Sequence, residues 1–364
     1  MPGEHVVVAG AGIIGVSIAY HLAKRGARVT IVEAVQPGGG TTSKSFGWIN
    51  ATFSKRPRAY FDLNYQAMAE WRRLELELNG RLNVQYGGSI AWFPAGPEAD
   101  DLVASVRAHQ QWGYAARLID QGDFQRLAPS VSPGTYAVAC HSEQEAAVDP
   151  SDALAVLLER ARALGAELRC PSKVTGLDLD GTFVRRIETD QAPIEAATLV
   201  LACGVNSPEI AQIAGCRLAL KGSPGVLVHL KPQPRLLNCV VLAPGVHCKQ
   251  GADGRIVAGG QIVAGLGTAS TEAADADQIL QQVRQVLPDL RDAQVERVTL
   301  GYRVMPEDEY PIIGFTKTCR NLYVAAMHSG VTLAPLIGRL AATEIIDGIS
   351  VDSLQPYRPD RFDC

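Results

Sequence analysis

The stretch HVVVAGAGIIGVSIAYHLAKRGARVTIVE, residues 5–33, leaves a chain few ways to begin folding. Val6, Val7, Val8 and Ala9 form a short apolar run of the kind that lies buried on both faces in a parallel sheet. Gly10, Gly12 and Gly15 follow as GxGxxG. Ile14, Ile18 and Leu22, with Ala19 among them, then recur at helical spacing until Gly26, and Arg28–Val32 reads as a second strand that delivers Glu33. Each part has a physical task. Gly10 permits the sharp strand-to-helix turn, Gly12 lets the backbone approach a pyrophosphate, and Gly15 lets the helix pack on the strand. The first helical turn, with Ile13 and Ile14, points free N–H groups and the positive end of its dipole at the phosphates. Glu33 lies eighteen residues past Gly15, where it accepts hydrogen bonds from a ribose diol, and an acid there disfavours a 2′-phosphate. Strand, glycines, helix, second strand and acid together predict a dinucleotide-binding unit.

The residues after Glu33 bear on which dinucleotide. A plain NAD domain starts another strand and helix soon. Here the chain reads QPGGGTTSKSFGWINATFSKRP instead. Thr42, Ser43, Lys44 and Ser45 offer backbone and hydroxyl groups that can wrap a second part of a longer cofactor. A surface loop is the other reading of the same segment.

Composition bounds the alternatives. The chain has 364 residues, 47% apolar and 20% charged, which suits a soluble protein of two domains. Its net charge of −4 gives no electrostatic reason to propose nucleic acid or an anionic membrane as partner. The N-terminus carries no basic segment ahead of its apolar run, so no signal peptide is expected, and no apolar stretch approaches the length of a membrane span. Eight cysteines form no CxxC pair and fit no zinc spacing, so no metal is expected. Most read as reduced thiols in the core, which points to a cytoplasmic location. A homo-oligomer is compatible with the composition.

Three further segments resemble the FAD-dependent amine and amino acid oxidoreductases, the group of D-amino acid oxidase, glycine oxidase and monomeric sarcosine oxidase. VDPSDALAVLLERARALGAEL (148–168) is similar to that family's helix and strand on the adenine side, with Val174 following where the family has a backbone contact to adenine. TLVLACGVNSP (198–208) resembles its second FAD strand and turn, with Cys203 and Gly204. NLYVAAMHSGVTLAPLIGRLAATEIIDG (321–348) resembles its C-terminal strand, flavin-contacting loop and helix. From the residues alone, the last segment is a buried strand, a break at Gly330 and a helix. Its first-turn amides at Gly330, Val331 and Thr332 would face the N1–C2=O edge of a flavin. His328 and Ser329 read equally well as ordinary loop residues.

GYRVMPEDEYPIIG (301–314) carries a single basic residue, Arg303. Taken alone it reads as a surface loop with an acid-paired arginine. The resemblance implies instead that Arg303 pairs with the substrate carboxylate, a task suited to a planar guanidinium. Trp48, Tyr60, His247, Tyr302 and His328 are weaker candidates for the cavity wall, and His328 is also a candidate for the chemistry. The cysteine that some relatives link to FAD falls at Gly301 here, and SKSFGW contains no histidine, so the FAD is expected to be non-covalent. For the lysine that promotes reaction with oxygen in monomeric sarcosine oxidase, Lys44 and Lys249 are the available residues.

The expected fold is α/β, a Rossmann-like FAD-binding domain (1–50, 145–215 and 300–364) with a discontinuous α+β substrate domain built on a mixed sheet (51–144 and 216–299). The expected reaction is oxidation of the C–N bond of a small amino acid or N-substituted amino acid, with oxygen or another carrier as the electron acceptor. The rivals are oxidation of a 2-hydroxy acid and a flavin-binding subunit of a larger dehydrogenase, with a nicotinamide enzyme behind both.

Overall fold

The computed structural model describes residues 5–52, 55, 57–260, 272–362 and 364. The strands are β1 (His5–Ala9), β2 (Arg28–Val32), β3 (Trp48–Ile49), β4 (Ser89–Phe93), β5 (Ala116–Leu118), β6 (Val138–Ser142), β7 (Ala146–Ala147), β8 (Glu167–Arg169), β9 (Val174–Asp180), β10 (Phe183–Thr189), β11 (Ile194–Glu195), β12 (Thr198–Leu201), β13 (Leu220–Leu230), β14 (Val240–Ala243), β15 (Val246–Gln250), β16 (Ile256–Gly260), β17 (Val295–Pro306), β18 (Ile312–Phe315) and β19 (Leu322–Ala326). The α-helices are α1 (Ile13–Lys24), α2 (Arg58–Glu77), α3 (Pro97–Gln111), α4 (Gln121–Leu127), α5 (Pro150–Ala163), α6 (Ser207–Ile213), α7 (Glu272–Val286) and α8 (Gly330–Asp347).

Two large sheets organise these elements. One has the order β18-β19-β12-β1-β2-β8 and is parallel except for β18. The other has the order β17-β13-β16-β15-β14-β4-β6-β5 and is antiparallel except where β14 meets β4, so it is mixed as expected. β17 belongs wholly to this second sheet and runs through residue 300.

The strand period of two explains why β1 is apolar throughout. Val6 and Val8 face a core built with α1, α2, α5 and α8, whereas Val7 and Ala9 face the small sheet β11-β10-β9. Neither face meets water. α8 lies against α1 because Gly338 has no side chain: a Cβ there would stand 2.3 Å from Ser17 Oγ. The Ser17 hydroxyl donates instead to the Ala334 carbonyl at 2.7 Å. Pro335 inside α8 cannot donate to the Val331 carbonyl, and Trp71 Nε1 supplies that donor at 3.0 Å.

The elements expected from sequence end earlier or start later where glycine intervenes. VQYGGSIAWFPA (84–95) reads as a strand in sequence, and the strand formed is Ser89–Phe93, because Gly88 takes φ +73° just before it. RAYFDLNYQAMAEWRRLELELNG (58–80) reads as a helix, and the helix closes at Glu77, with Asn79 and Gly80 turning left-handed after it. The cysteines need a correction. Cys140, Cys170, Cys203, Cys239, Cys248 and Cys319 are free, but Cys216 and Cys364 form a disulfide. That pair removes the step from cysteine usage to a reducing compartment. Among the described residues, no helix is long and apolar enough to cross a membrane.

Candidate active site

A cavity of about 860 Å³ draws its walls from both large sheets. One end is the β1–α1 turn. Gly10 has φ +100°, and a Cβ on it would lie 2.5 Å from the Ala202 carbonyl oxygen. A Cβ on Gly15 would lie 2.0 Å from the Gly10 oxygen, so Gly15 serves packing and does not itself face the cavity. Glu33 ends β2 with its carboxylate accepting from Ala11 N at 2.9 Å and Val35 N at 3.0 Å. These bonds fix the carboxylate at the cavity wall beside Gly10, Gly12, Ile13 and Ile14.

The segment after Glu33 folds over this turn. Thr42 Oγ1 accepts from Ile13 N at 3.0 Å, and Thr41 Oγ1 donates to the Tyr302 carbonyl at 2.8 Å. Thr42, Lys44 and Ser45 line the cavity, whereas Ser43 does not. Cys203 and Gly204 line it from the turn after β12. Val174 does not: it starts β9 within the buried cluster around Val7 and Leu199. Only the strand and cis-proline turn before it approach the Glu33 end, where Ser172 N donates to the Glu33 carbonyl at 2.7 Å.

At the other end, Ser329 takes a left-handed conformation (φ 58°) and starts α8. Gly330, Val331 and Thr332 line the cavity with first-turn N–H groups that have no intrahelical acceptor. Thr332 Oγ1 ties this turn to β3, donating to the Trp48 carbonyl at 3.1 Å and accepting from Asn50 N at 3.3 Å. A flavin dinucleotide fits these residues. The glycine turn leaves backbone open to the phosphates, Glu33 suits the ribose, and the α8 amides suit the electron-rich edge of the ring.

Arg303 enters this end from β17. Its strand neighbours on β13 are Ser223 and, diagonally, Gly225, and a Cβ on Gly225 would lie 3.4 Å from the guanidinium. Bare backbone beneath the guanidinium thus gives it a flat bed. No carboxylate pairs with Arg303 among the described residues, and burial alone lowers its pKa. The neighbouring acid Asp308 is held by Arg361 at 2.6 Å. The acid-paired surface loop is therefore excluded for Arg303.

His247 projects from β15 opposite Gly259, where a Cβ would lie 2.5 Å from Nε2. Its ring meets the Phe46 ring edge-on at 4.5 Å. Burial, then the Arg303 charge, brings its pKa down to about 4. His328 follows β19, with Nδ1 3.4 Å from Ser329 Oγ. Burial, then Lys55 and Arg303, bring it down to about 3. Trp48 lines the cavity and donates from Nε1 to Glu145 at 2.8 Å. Tyr302 departs from expectation: strand alternation turns it away from Arg303, it is 48% exposed, and only its backbone serves the site. Tyr60 is buried and not on the wall, with its hydroxyl donating to Ser329 Oγ at 3.1 Å.

Lys55 is on the cavity wall and was not legible in sequence. It is 3% exposed, its ammonium donates to Ser329 Oγ, and it stands 5.1 Å from the Tyr60 ring centroid. Burial brings its pKa down to about 8. In sequence it belongs to the basic run SKRPR, which carries every mark of a solvated surface. Of the two lysines considered for reaction with oxygen, Lys44 is on the wall. Lys249 is buried behind it, donating to the Val148 carbonyl at 2.5 Å.

Comparisons with known proteins agree with this geometry. The chain is 26% identical to a glycine oxidase of Geobacillus kaustophilus over 97% of this chain and 95% of that one. Its fold matches the crystal structure of glycine oxidase from that organism with a TM-score of 0.88, at 25% identity and 98% coverage of both chains. It also matches an iminodiacetate oxidase of Chelativorans sp. BNC1, with a TM-score of 0.86 and 25% identity over 97% of this chain and 98% of that one. A hydrogen cyanide synthase subunit of Pseudomonas aeruginosa is 25% identical over 94% of this chain and 93% of its own length. The model of one family, FAD dependent oxidoreductase (DAO), matches residues 5–344, nearly the whole chain, and the chain belongs to that family of FAD-binding enzymes.

Proposed function

We propose that the enzyme oxidises the C–N bond of a small amino acid or N-substituted amino acid whose carboxylate is held by Arg303. The observation that carries this reading is the guanidinium itself: on the wall of the cavity, bedded over Gly225, with no acidic partner among the described residues. A buried cation left in that state is costly until an anion arrives, and a carboxylate meets it with two parallel hydrogen bonds. Holding the carboxylate fixes the neighbouring Cα, and orientation of that kind is a large part of the barrier such a reaction must overcome. Bound FAD would supply the acceptor for the electron pair of the Cα–H bond, and water would hydrolyse the resulting imine to an oxo acid and ammonia or an amine. The two electrons leave to oxygen or another carrier.

The protein's own groups suit an amine better than an alcohol. An alcohol needs a side-chain base to take its proton, and a base works best when its pKa is near the working pH. His247 at about 4 and His328 at about 3 are far below that range. An amine brings its own lone pair, and Arg303 and Lys55 nearby favour its neutral form. The glycine and iminodiacetate oxidases among the relatives are named for carboxylate-bearing amines, which supports the same choice. A second reading, a flavin subunit working only within an assembly, is favoured by the similarity to a hydrogen cyanide synthase subunit.

The test is product stoichiometry with glycine, sarcosine, proline, D-amino acids and 2-hydroxy acids. The reading predicts one ammonia or amine released per oxo acid formed. Oxo acid from hydroxy acids alone, with no nitrogen released, contradicts it. Turnover that appears only when partner chains are supplied moves the assignment to the subunit.

A further inference from the structure

The charges on the cavity wall are unevenly distributed. Among the described residues its one acid, Glu33, lies at the ribose end and is already engaged by two backbone amides. The cations of the wall are Lys44, in the segment packed on Gly301 of β17, and Arg303 and Lys55. Lys55 stands beside His328, donating to the adjacent Ser329, and the charges of Lys55 and Arg303 both lower the His328 pKa. Neither forms an ion pair with a carboxylate among the described residues. The acid whose charge acts on Lys55 is Glu145, which is fully buried and bonded to Trp48 and Thr52. Its carboxylate is taken up by Trp48 Nε1, Thr52, Ser89 and Tyr114 at 2.8, 2.5, 2.6 and 3.3 Å. The Lys55 ammonium has three donors. The Ser329 hydroxyl takes one, and the Tyr60 ring covers one flank at 5.1 Å.

One carboxylate on Arg303 answers half of this arrangement. We propose that the enzyme takes a dicarboxylic amine, an amino acid or N-substituted amino acid with a second carboxylate, and that Lys55 is the anchor for that second group. The inference rests on the reading of Arg303 given above. A monocarboxylic amine leaves the Lys55 charge in the cavity with a hydroxyl and an aromatic face, whereas a dicarboxylic one neutralises both cations at once. Ser329 and Tyr60 hold the ammonium in place beforehand, so little side-chain freedom is lost on binding. Specificity follows from the same geometry, because a site built around two charges leaves one of them unmet when the substrate lacks its partner.

The experiment is a titration of the FAD-loaded enzyme with carboxylates that cannot be oxidised, followed by perturbation of the flavin absorption band. Acetate, propionate and butyrate are compared with malonate, succinate and glutarate. The best dicarboxylate is expected to bind about 10- to 100-fold tighter than its monocarboxylic counterpart. Lys55→Met should collapse that ratio to within a few-fold, Lys55→Arg should retain most of it, and Arg303→Ala should weaken both classes. In turnover, the ratio of kcat/KM for iminodiacetate or aspartate to that for sarcosine or alanine should fall by the same factor in Lys55→Met. Equal affinity for the two classes in the native enzyme overturns the proposal. So does an equal loss for both classes in Lys55→Met, which would make Lys55 a partner of the flavin or of the loop. Because the probes are inert, a Lys55-dependent preference for dicarboxylates stands even if the C–N reaction fails, and the reaction stands if the preference is absent.

Discussion

At the scale of single residues, the site is defined by buried charges whose partners are absent or shared. Arg303 is the clearest, since nothing in its sequence segment separates it from an ordinary surface arginine. What separates it is its burial against Gly225 on the neighbouring strand, with no carboxylate partner among the described residues. Glu145 shows the opposite case, a buried carboxyl with four donors and no full counter-charge. Burial pushes it up to about 7 in spite of those donors. The sign of its linkage follows. A folded-state pKa above the ordinary carboxylate value means the native state holds a proton that the unfolded chain has released. That contribution is fully present below the ordinary range and is lost as pH rises through about 7. Stability is therefore expected to fall from pH 5 to pH 8 by on the order of 1–3 kcal/mol from this group. Thermal unfolding across that range should show the slope, and Glu145→Gln should flatten it. An identical slope in the variant would assign the effect to other groups.

At the scale of elements, glycines decide how closely the parts approach. A Cβ on Gly301 would lie 2.8 Å from Lys44 Cβ and 3.0 Å from the Lys44 carbonyl oxygen. The segment after Glu33 therefore rests directly on β17, the strand that carries Arg303. Gly301→Ala must push the two apart, and the enzyme is expected to lose at least about 10-fold in FAD affinity with little change in the sheet itself. Equilibrium binding of FAD to the stripped protein measures this, and an unchanged affinity would show that the segment adjusts freely. Much at this scale was readable beforehand. The glycine turn, the strand to Glu33 and the helix after Gly330 follow from period, breakers and spacing. HCKQGADGRIVAGG (247–260) reads as a hairpin about GADG, and it is present as β15 and β16. What was not readable depends on distant pairing. Tyr302 faces out because β17 alternates about Arg303, and Val174 is drawn into the β9–β10 packing. Lys55 is buried where its ammonium meets Ser329 at the start of α8 and the Tyr60 ring.

At the scale of the whole molecule, the cavity exists because two sheets with separate cores share it. The parallel sheet supplies the dinucleotide turn and the start of α8, and the mixed sheet supplies Arg303 and His247. Local pattern identified the first sheet well, since a fully buried parallel strand such as β1 has a distinct signature. It identified the second less well, because strands such as β13 pass from an open first half to a fully buried second half and pair across long sequence distances. The disulfide between Cys216 and Cys364 joins positions 148 residues apart, and spacing alone gave no sign of it. The central claim joins the two sheets: a carboxylate on Arg303 presents a C–N bond to a flavin held by the other layer. Its most direct test is anaerobic mixing of the FAD-loaded enzyme with a small amino acid or N-substituted amino acid, watching the flavin band bleach in native enzyme and in Arg303→Ala. The account predicts rapid, saturable bleaching in the native enzyme. In the variant, with FAD still bound, half-saturation should move to at least about 100-fold higher substrate, as expected when a charge-assisted bidentate contact is lost. Bleaching of the variant at native rate and native half-saturation would contradict it.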